Sequence, residues 1–333
     1  MDPVASLDGA TPPVPWYNVG KLSANFMIIL ISTLCVYCGS VRSETYVKRL
    51  QARKQRPKFY IGLLMAIVIP AITTVVTYLL FLNTPQETAK LADSSAADSV
   101  FWIRILAKMF GFWLPSLVGG SCVGYLSTDV LLTHYLVMTD LGWYLMYGIG
   151  QMIGAALAIC HCMSPHWFTS DVLVICCCVC AIQFGLLANF RSAALFLSAM
   201  CAYDLYFNYA FNMLGPVVST STSPFFLFIP YQLSPTVRLS KLGSPDVIVT
   251  GLFVALLCRF DAVQRRKSAS HLYLAIGLVQ FTIGLVLTFA VSTLMQRTTP
   301  AMVLPSLLCV STAVIVAHKR SELADLIRFT DIL

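Results

Sequence analysis

The sequence contains very little charge. Only 11% of its 333 residues are Asp, Glu, Lys or Arg, while 58% are hydrophobic. Soluble domains typically carry about 25% charged residues, so this composition excludes an ordinary soluble enzyme. With a mean hydropathy of +0.78, the chain is predicted to be a polytopic membrane protein without room for a separate soluble domain. Its net charge of +7 does not by itself indicate nucleic acid, since basic residues also set membrane orientation.

Signals for metals, disulfides and a signal peptide are also weak. Most of the 12 cysteines lie inside apolar segments, where thiols act as small buried apolar groups. Cys35 and Cys38 form a C-x-x-C without a second pair, so we predict neither a metal nor another cofactor. Residues 1–21 lack a basic start followed at once by an apolar core. We expect them to form a short Pro-rich tail.

Apolar runs of about 20 residues are long enough to cross a bilayer. We predict an all-α protein with nine such transmembrane helices, five of them within residues 22–191 and four within 192–317, before a C-terminal tail at 318–333. The predicted segments are 22–41, 60–82, 109–128, 141–160, 168–188, 192–213, 241–260, 271–293 and 300–317. Glycines in the third and fourth segments predict close helix packing.

Basic residues predict the orientation of these segments. With the N-terminus outside, 15 of the 22 lysines and arginines fall on the cytosolic side, seven of them in the first loop. The C-terminus is then cytosolic. Residues 83–100 are predicted to be an exposed lumenal loop. The apolar linker 214–240 is expected to lie against the bilayer or the helix bundle, either as part of a gate or as simple packing.

Two aspartates lie inside predicted membrane segments, Asp204 in the sixth and Asp246 near the start of the seventh. A charged side chain costs about 3 kcal/mol at the centre of a membrane helix, so such acids are functional candidates. Because these segments are antiparallel, a rise of about 1.5 Å per residue puts both acids within about 12 Å of one membrane face. Asp246 alone is also compatible with capping a helix.

Two adjacent carboxyl groups in a membrane cannot both ionise, so they share one proton. The ionised acid can then activate water while the protonated acid polarises an amide carbonyl, as in aspartic proteases. The same pair could instead relay protons in a transporter, or only hold two helices together. Spacing alone leaves these three interpretations open.

Three short motifs accompany the acids in order: Tyr203–Asp204, then Gly243–Ser244–Pro245–Asp246, then Pro300–Ala301–Met302. They resemble the YD, GxGD and PAL motifs of signal peptide peptidases, which are intramembrane aspartyl proteases related to presenilin. The sequences FFLFIP and FTIGLVLTF are also similar to that family. The similarity is clear from about 195 to 310 and weak before about 140. The predicted orientation matches signal peptide peptidase and is opposite to that of presenilin.

The resemblance implies a role for each matched residue. Asp204 and Asp246 would be the catalytic pair. Tyr203, Gly243, Pro300, Ala301 and Met302 would shape the substrate site beside it, although Tyr203 is equally compatible with ordinary helix packing.

Two residues depart from the family motifs. Pro245 replaces the second Gly of GxGD, and Pro forbids backbone conformations that Gly allows. Pro is tolerated in the first turn of a helix, so Asp246 could still be correctly aimed. Met302 replaces Leu, a change that conserves volume. An inactive membrane scaffold is therefore the main alternative to an active protease.

The resemblance also implies the activity and its setting. The expected reaction is hydrolysis of peptide bonds within transmembrane helices, such as signal-peptide remnants, in the endoplasmic reticulum membrane. The expected partners are these peptides and the lipid bilayer, and no nucleic acid is expected. The sequence leaves open whether the protein forms a homo-oligomer. A proton-coupled transporter is the less favoured alternative. Other polar residues at predicted segment ends are expected to be interfacial: Asp129, His134, Asp140, His161, His166 and Asp171.

Overall fold

Long apolar helices make up most of the chain. The computed structural model describes residues 15–55, 57, 59–82, 97–135, 140–210, 224–232, 238–264, 271–295 and 299–330. The helices are α1 (Pro15–Ala52), α2 (Met65–Leu82), α3 (Ala97–Lys108), α4 (Leu114–Tyr135), α5 (Asp140–Met163), α6 (Trp167–Phe184), α7 (Phe190–Leu205), α8 (Ser244–Gln264), α9 (Leu272–Met295), α10 (Val303–Lys319) and α11 (Leu323–Arg328). Two π-helical turns interrupt or extend them, at Met109–Trp113 between α3 and α4 and at Tyr206–Ala210 after α7.

Each predicted apolar segment overlaps a helix in the described part of the chain, although the number of nine membrane spans stays a prediction. The third predicted segment, 109–128, covers the π-helical turn and most of α4, and the helix starts earlier than predicted, with α3 at Ala97. Within that part, six helices are long and apolar enough to cross a membrane, and α10 is a shorter apolar helix. The prediction of a helical polytopic membrane protein is therefore confirmed.

Several predicted boundaries were wrong. α1 begins at Pro15, inside the predicted tail, and runs on to Ala52, so that basic residues assigned to the first loop lie in its last turns. α2 begins at Met65 because Tyr60–Ile61 forms a short strand, β1. Helix α11 lies within the predicted C-terminal tail. Most of the predicted lumenal loop, residues 83–96, lies outside the described residues, and residues 97–100 already belong to α3.

Two small sheets accompany the helices, which the sequence did not indicate. β1 pairs in parallel with β2 (Leu186–Leu187), so α6 ends at Phe184 rather than at the predicted 188. β3 (Phe226–Gln232) pairs antiparallel with β4 (Arg238–Gly243). Most of this hairpin belongs to the linker 214–240, but β4 extends to Gly243, so α8 begins at Ser244 rather than at the predicted 241. Residues 214–223 and 233–237 lie outside the described residues. β3 packs against α1 and α6, which agrees with the expectation that the linker lies against the bundle.

Helix α8 lies at the centre of the bundle. Every side chain from Val249 to Asp261 is buried, and the helix packs against α1, α6, α7, α9 and α10. A helix that is apolar on all sides has no face that favours water, so it is typically buried among other helices. The predicted packing through glycine is also present between α4 and α5. A Cβ on Gly154 would lie 2.0 Å from the carbonyl oxygen of Gly120, so this close approach requires glycine.

Candidate functional site

Asp204 lies in the last turn of α7, and its side chain is only 4% exposed. α7 has a defined start, because Asn189 and Ser192 form a reciprocal capping box there. The two carboxyl oxygens of Asp204 have different donors. The backbone N–H of Met302 donates to Oδ2 at 3.1 Å, and the Asn208 side-chain amide donates to Oδ1 at 2.7 Å. These two hydrogen bonds fix the orientation of the carboxyl group.

Asn208 belongs to the π-helical turn that continues α7. Single π-helical turns are frequent at functional sites. No sequence motif singles out this residue, although its position four residues after Asp204 is the spacing at which side chains meet on a helix. Asn208 is therefore a candidate for positioning the acid.

Asp246 lies in the first turn of α8 and is half-buried. The preceding backbone is held in place, because the N–H of Ser244 donates to the carbonyl of Phe225 at 2.7 Å at the end of the hairpin. The N–H of Gly243 donates to the Asp246 carboxyl group. A Cβ on Gly243 would lie only 2.9 Å from Oδ2 of Asp246, so a larger residue at this position would displace the carboxyl group.

The structure brings the two acids together. The carboxyl group of Asp246 interacts electrostatically with that of Asp204, although the two lie on different helices. Cys201 and Tyr203, which lie on α7, interact electrostatically with both acids. α7 and α8 therefore place two carboxyl groups within electrostatic range of each other.

Tyr203 is half-buried beside the acids. Its hydroxyl group shares a hydrogen bond with the hydroxyl of Thr77 on α2, and its ring lies 5.0 Å from that of Phe207 between centroids. The hydrogen bond between Thr77 and Tyr203 therefore connects α2 to the site. No sequence signal identified Thr77, because 126 residues separate it from Tyr203.

Pro300, Ala301 and Met302 lead into α10. Pro300 and Met302 are buried and Ala301 is half-buried. Met302 contacts Asp204 through its N–H, and its carbonyl lies 3.9 Å from the thiol of Cys201. Among the described residues, no hydrogen bond joins Pro300 or Ala301 to either acid. α10 is itself held close to α9, where a Cβ on Gly284 would lie 2.4 Å from Cα of Pro305.

The other polar residues at the ends of the predicted segments differ in their burial and in their partners. Asp129 pairs with Arg42 at 2.8 Å. His161 near the end of α5 and Asp171 near the start of α6 are both buried among neighbouring residues, and Asp171 accepts a hydrogen bond from the N–H of Phe228 in β3 at 2.7 Å. His166 is exposed at the start of α6. The side chains of His134 and Asp140 lie outside the described residues. Within the described part of the chain, there is no cluster of His, Cys, Asp or Glu that would hold a metal.

Comparison with known sequences identifies the family. The sequence profile of signal peptide peptidase matches residues 148–332, more than half of the chain, and includes all three motifs. The chain belongs to the signal peptide peptidase family. The resemblance inferred from the motifs is thereby confirmed.

The relatives found by comparison with known proteins have low sequence identity to this chain. The chain is 25% identical over 209 residues to intramembrane protease 2 of Caenorhabditis elegans, covering 58% of this chain and 44% of that protein. It is 27% identical over 183 residues to a probable intramembrane protease of Schizosaccharomyces pombe, covering 54% and 62%. It is 28% identical over 176 residues to human signal peptide peptidase-like 2A, covering 47% and 33%. The matched region thus spans about a third to three fifths of the length of these relatives.

Proposed function

We propose that this chain is an intramembrane aspartyl protease of the endoplasmic reticulum membrane, with its N-terminus lumenal and its C-terminus cytosolic. Asp204 and Asp246 are its catalytic pair, and its substrates are transmembrane helices such as signal-peptide remnants. The observation that best supports this proposal is the electrostatic interaction between the two carboxyl groups, of which Asp204 also accepts a hydrogen bond from the N-terminal end of α10. Membership of the signal peptide peptidase family supports it independently.

The proposed reaction needs only the acid pair and water. One acid of the pair is ionised and removes a proton from a water molecule as that water attacks the scissile carbonyl carbon. The other acid donates its proton to the carbonyl oxygen, which gives a tetrahedral intermediate. The acid that took a proton from water then gives it to the amide nitrogen, while the other acid takes a proton from a hydroxyl group of the intermediate. The C–N bond breaks, the amine and acid products leave, and the acid pair returns to its starting protonation state. Met302 and Asn208 hold Asp204 in position during these steps.

A helical substrate must unwind before water can attack it, because its amides are hydrogen-bonded within the helix. The unwound backbone needs new hydrogen-bonding partners inside the membrane. We assign this part of the site to the residues around the acids: Tyr203, Gly243, Pro300, Ala301 and Met302. Pro300 precedes α10, so the backbone around it is outside regular helix and can offer its polar groups to a substrate.

Pro245 favours the second candidate function, an inactive scaffold that binds membrane helices without cleaving them. Two observations weigh against that alternative. Pro245 occupies the first turn of α8, where a backbone N–H has no helical partner to bond. Asp246 also retains its hydrogen bond from Gly243. Proline at this position is therefore compatible with an aligned catalytic pair.

The deciding experiment measures cleavage of a synthetic signal-peptide helix by the purified full chain in detergent, with mass spectrometry of the products. The parent protein should cut within the apolar stretch. Asp204→Asn and Asp246→Asn should each reduce the rate at least about a hundredfold, because each removes one partner in proton transfer. Asp129→Asn is the matched control, since it makes the same chemical change at an acid bonded to Arg42, and it should leave the rate nearly unchanged.

Equal activity of the Asp246→Asn variant and the parent would remove this acid from the mechanism. If the parent cleaves none of several signal-peptide helices while it binds them in a folded state, the scaffold function replaces the protease.

A further inference from the structure

A groove of about 900 Å³ lies at the end of the bundle opposite the acid pair. It is enclosed by the ends of α1, α4 and α6 and by the start of α5. The helix α7 begins at this end of the bundle. Asp204 lies in the last turn of α7, about 21 Å further on at about 1.5 Å per residue. The groove is therefore separate from the candidate active site.

Half of the residues that line the groove are aromatic: Tyr46, Phe59, Tyr125, Trp143, Tyr147 and Phe184. The rings of Trp143 and Tyr147 stack with centroids 5.6 Å apart, and the Phe184 ring lies 5.1 Å from those of Tyr46 and Tyr125. Trp143 remains 45% exposed and Tyr147 42% exposed. Tyr and Trp concentrate at the level of lipid headgroups, since each combines an apolar ring with a polar group.

The groove is also basic. Arg49 and Arg53 lie one turn apart at the end of α1, and both line the groove with exposed side chains. Among the described residues, neither guanidinium group forms a salt bridge. The acid in the lining, Asp129, is paired with Arg42 at 2.8 Å and so is already neutralised. The planar guanidinium group binds phosphate oxygens through two parallel hydrogen bonds.

We propose that this groove binds the phosphate headgroup of an anionic phospholipid from the surrounding bilayer. Basic pockets between membrane helices bind such headgroups. Arg49 and Arg53 hold the phosphate, while Trp143 and Tyr147 contact the glycerol and the first carbons of the acyl chains. The distribution of basic residues predicts that this end of the bundle faces the cytosol, so the lipid belongs to the cytosolic leaflet.

Native mass spectrometry of the full chain in detergent tests this site, with phosphatidic acid and phosphatidylcholine of identical acyl chains as probes. The parent should bind phosphatidic acid preferentially. Arg49→Gln combined with Arg53→Gln should lower that affinity on the order of tenfold, because two charges near the phosphate are lost. Arg191→Gln combined with Arg320→Gln is the matched control: it removes two exposed charges at the same end of the bundle, outside the groove, and should bind as the parent does.

A second pair of variants tests the aromatic wall. Tyr147→Ala should weaken binding, whereas Tyr144→Ala should not, because Tyr144 is 67% exposed and does not line the groove. Thermal unfolding of each variant shows that it is folded. An equal loss in both arginine pairs, or equal binding of the two lipids by the parent, would overturn the proposal. Displacement by soluble glycerol phosphate at the same concentration as the lipid would assign the site to a free phosphate compound instead.

Discussion

The backbone N–H of Met302 donates a hydrogen bond to Oδ2 of Asp204 at 3.1 Å. The bond joins the Pro300–Ala301–Met302 motif to the Tyr203–Asp204 motif across 98 residues of sequence. Met302 is the N-cap residue of α10, and the partial positive charge at a helix N-terminus also favours a neighbouring carboxylate. The position of α10 therefore decides the orientation of the acid on α7.

Gly243→Ala should strongly reduce cleavage. The new Cβ would lie 2.9 Å from Oδ2 of Asp246, so the carboxyl group must move. A displacement of about 1 Å at a catalytic group lowers the rate about a hundredfold. The measurement is kcat for a signal-peptide helix. Gly62→Ala is the control: it also replaces a glycine outside the helices, but nothing lies within 4 Å of the added Cβ, and kcat should stay the same. Unchanged kcat in Gly243→Ala would show that this contact does not position Asp246.

Asn208→Ala should lower kcat about tenfold or more with little change in KM. The substitution removes the donor to Oδ1 of Asp204, and hydrogen bonds to charged groups contribute about 1.5–3 kcal/mol. Leu205→Ala removes an exposed neighbour on the same turn and should have little effect. A change in KM alone would indicate that Asn208 binds substrate and does not position the acid.

Pro245→Gly should leave kcat/KM within about threefold of the parent while slightly lowering the melting temperature. The first turn of α8 accommodates proline, and proline at a compatible position stabilises a protein by about 0.4–1 kcal/mol through the unfolded chain. The two quantities are measured by peptide cleavage and thermal unfolding. A large gain of activity in this variant would mean that Pro245 misaligns Asp246 in the parent chain.

Asp171→Ala should loosen the β3–β4 hairpin. It would leave the buried N–H of Phe228 without its acceptor, which costs about 1–3 kcal/mol. Hydrogen exchange at the Phe228 amide should become faster. Asp171→Asn keeps an acceptor oxygen in the same place and should preserve the protection. Equal exchange in the alanine and asparagine variants would show that this bond does not hold the hairpin.

The sequence alone determined the class of the protein and its candidate acids. Length and apolarity identify membrane helices because crossing about 30 Å of hydrocarbon needs about 20 apolar residues in any fold. The acids Asp204 and Asp246 were recognisable because a charged group in such a segment is costly and so marks a functional candidate. The three ordered motifs identified the family.

Tertiary structure decided what local pattern could not encode. The short strands β1 and β2 pair across more than 120 residues, and a two-residue strand has no periodicity of its own. Most of the hairpin that precedes Asp246 lies in a segment expected to be a loop, and its last residues lie in a segment expected to be helical. The bonds from Thr77 to Tyr203 and from Met302 to Asp204 depend on how distant helices pack. Sequence thus supplied the reactive groups, while their orientation depends on long-range packing between helices.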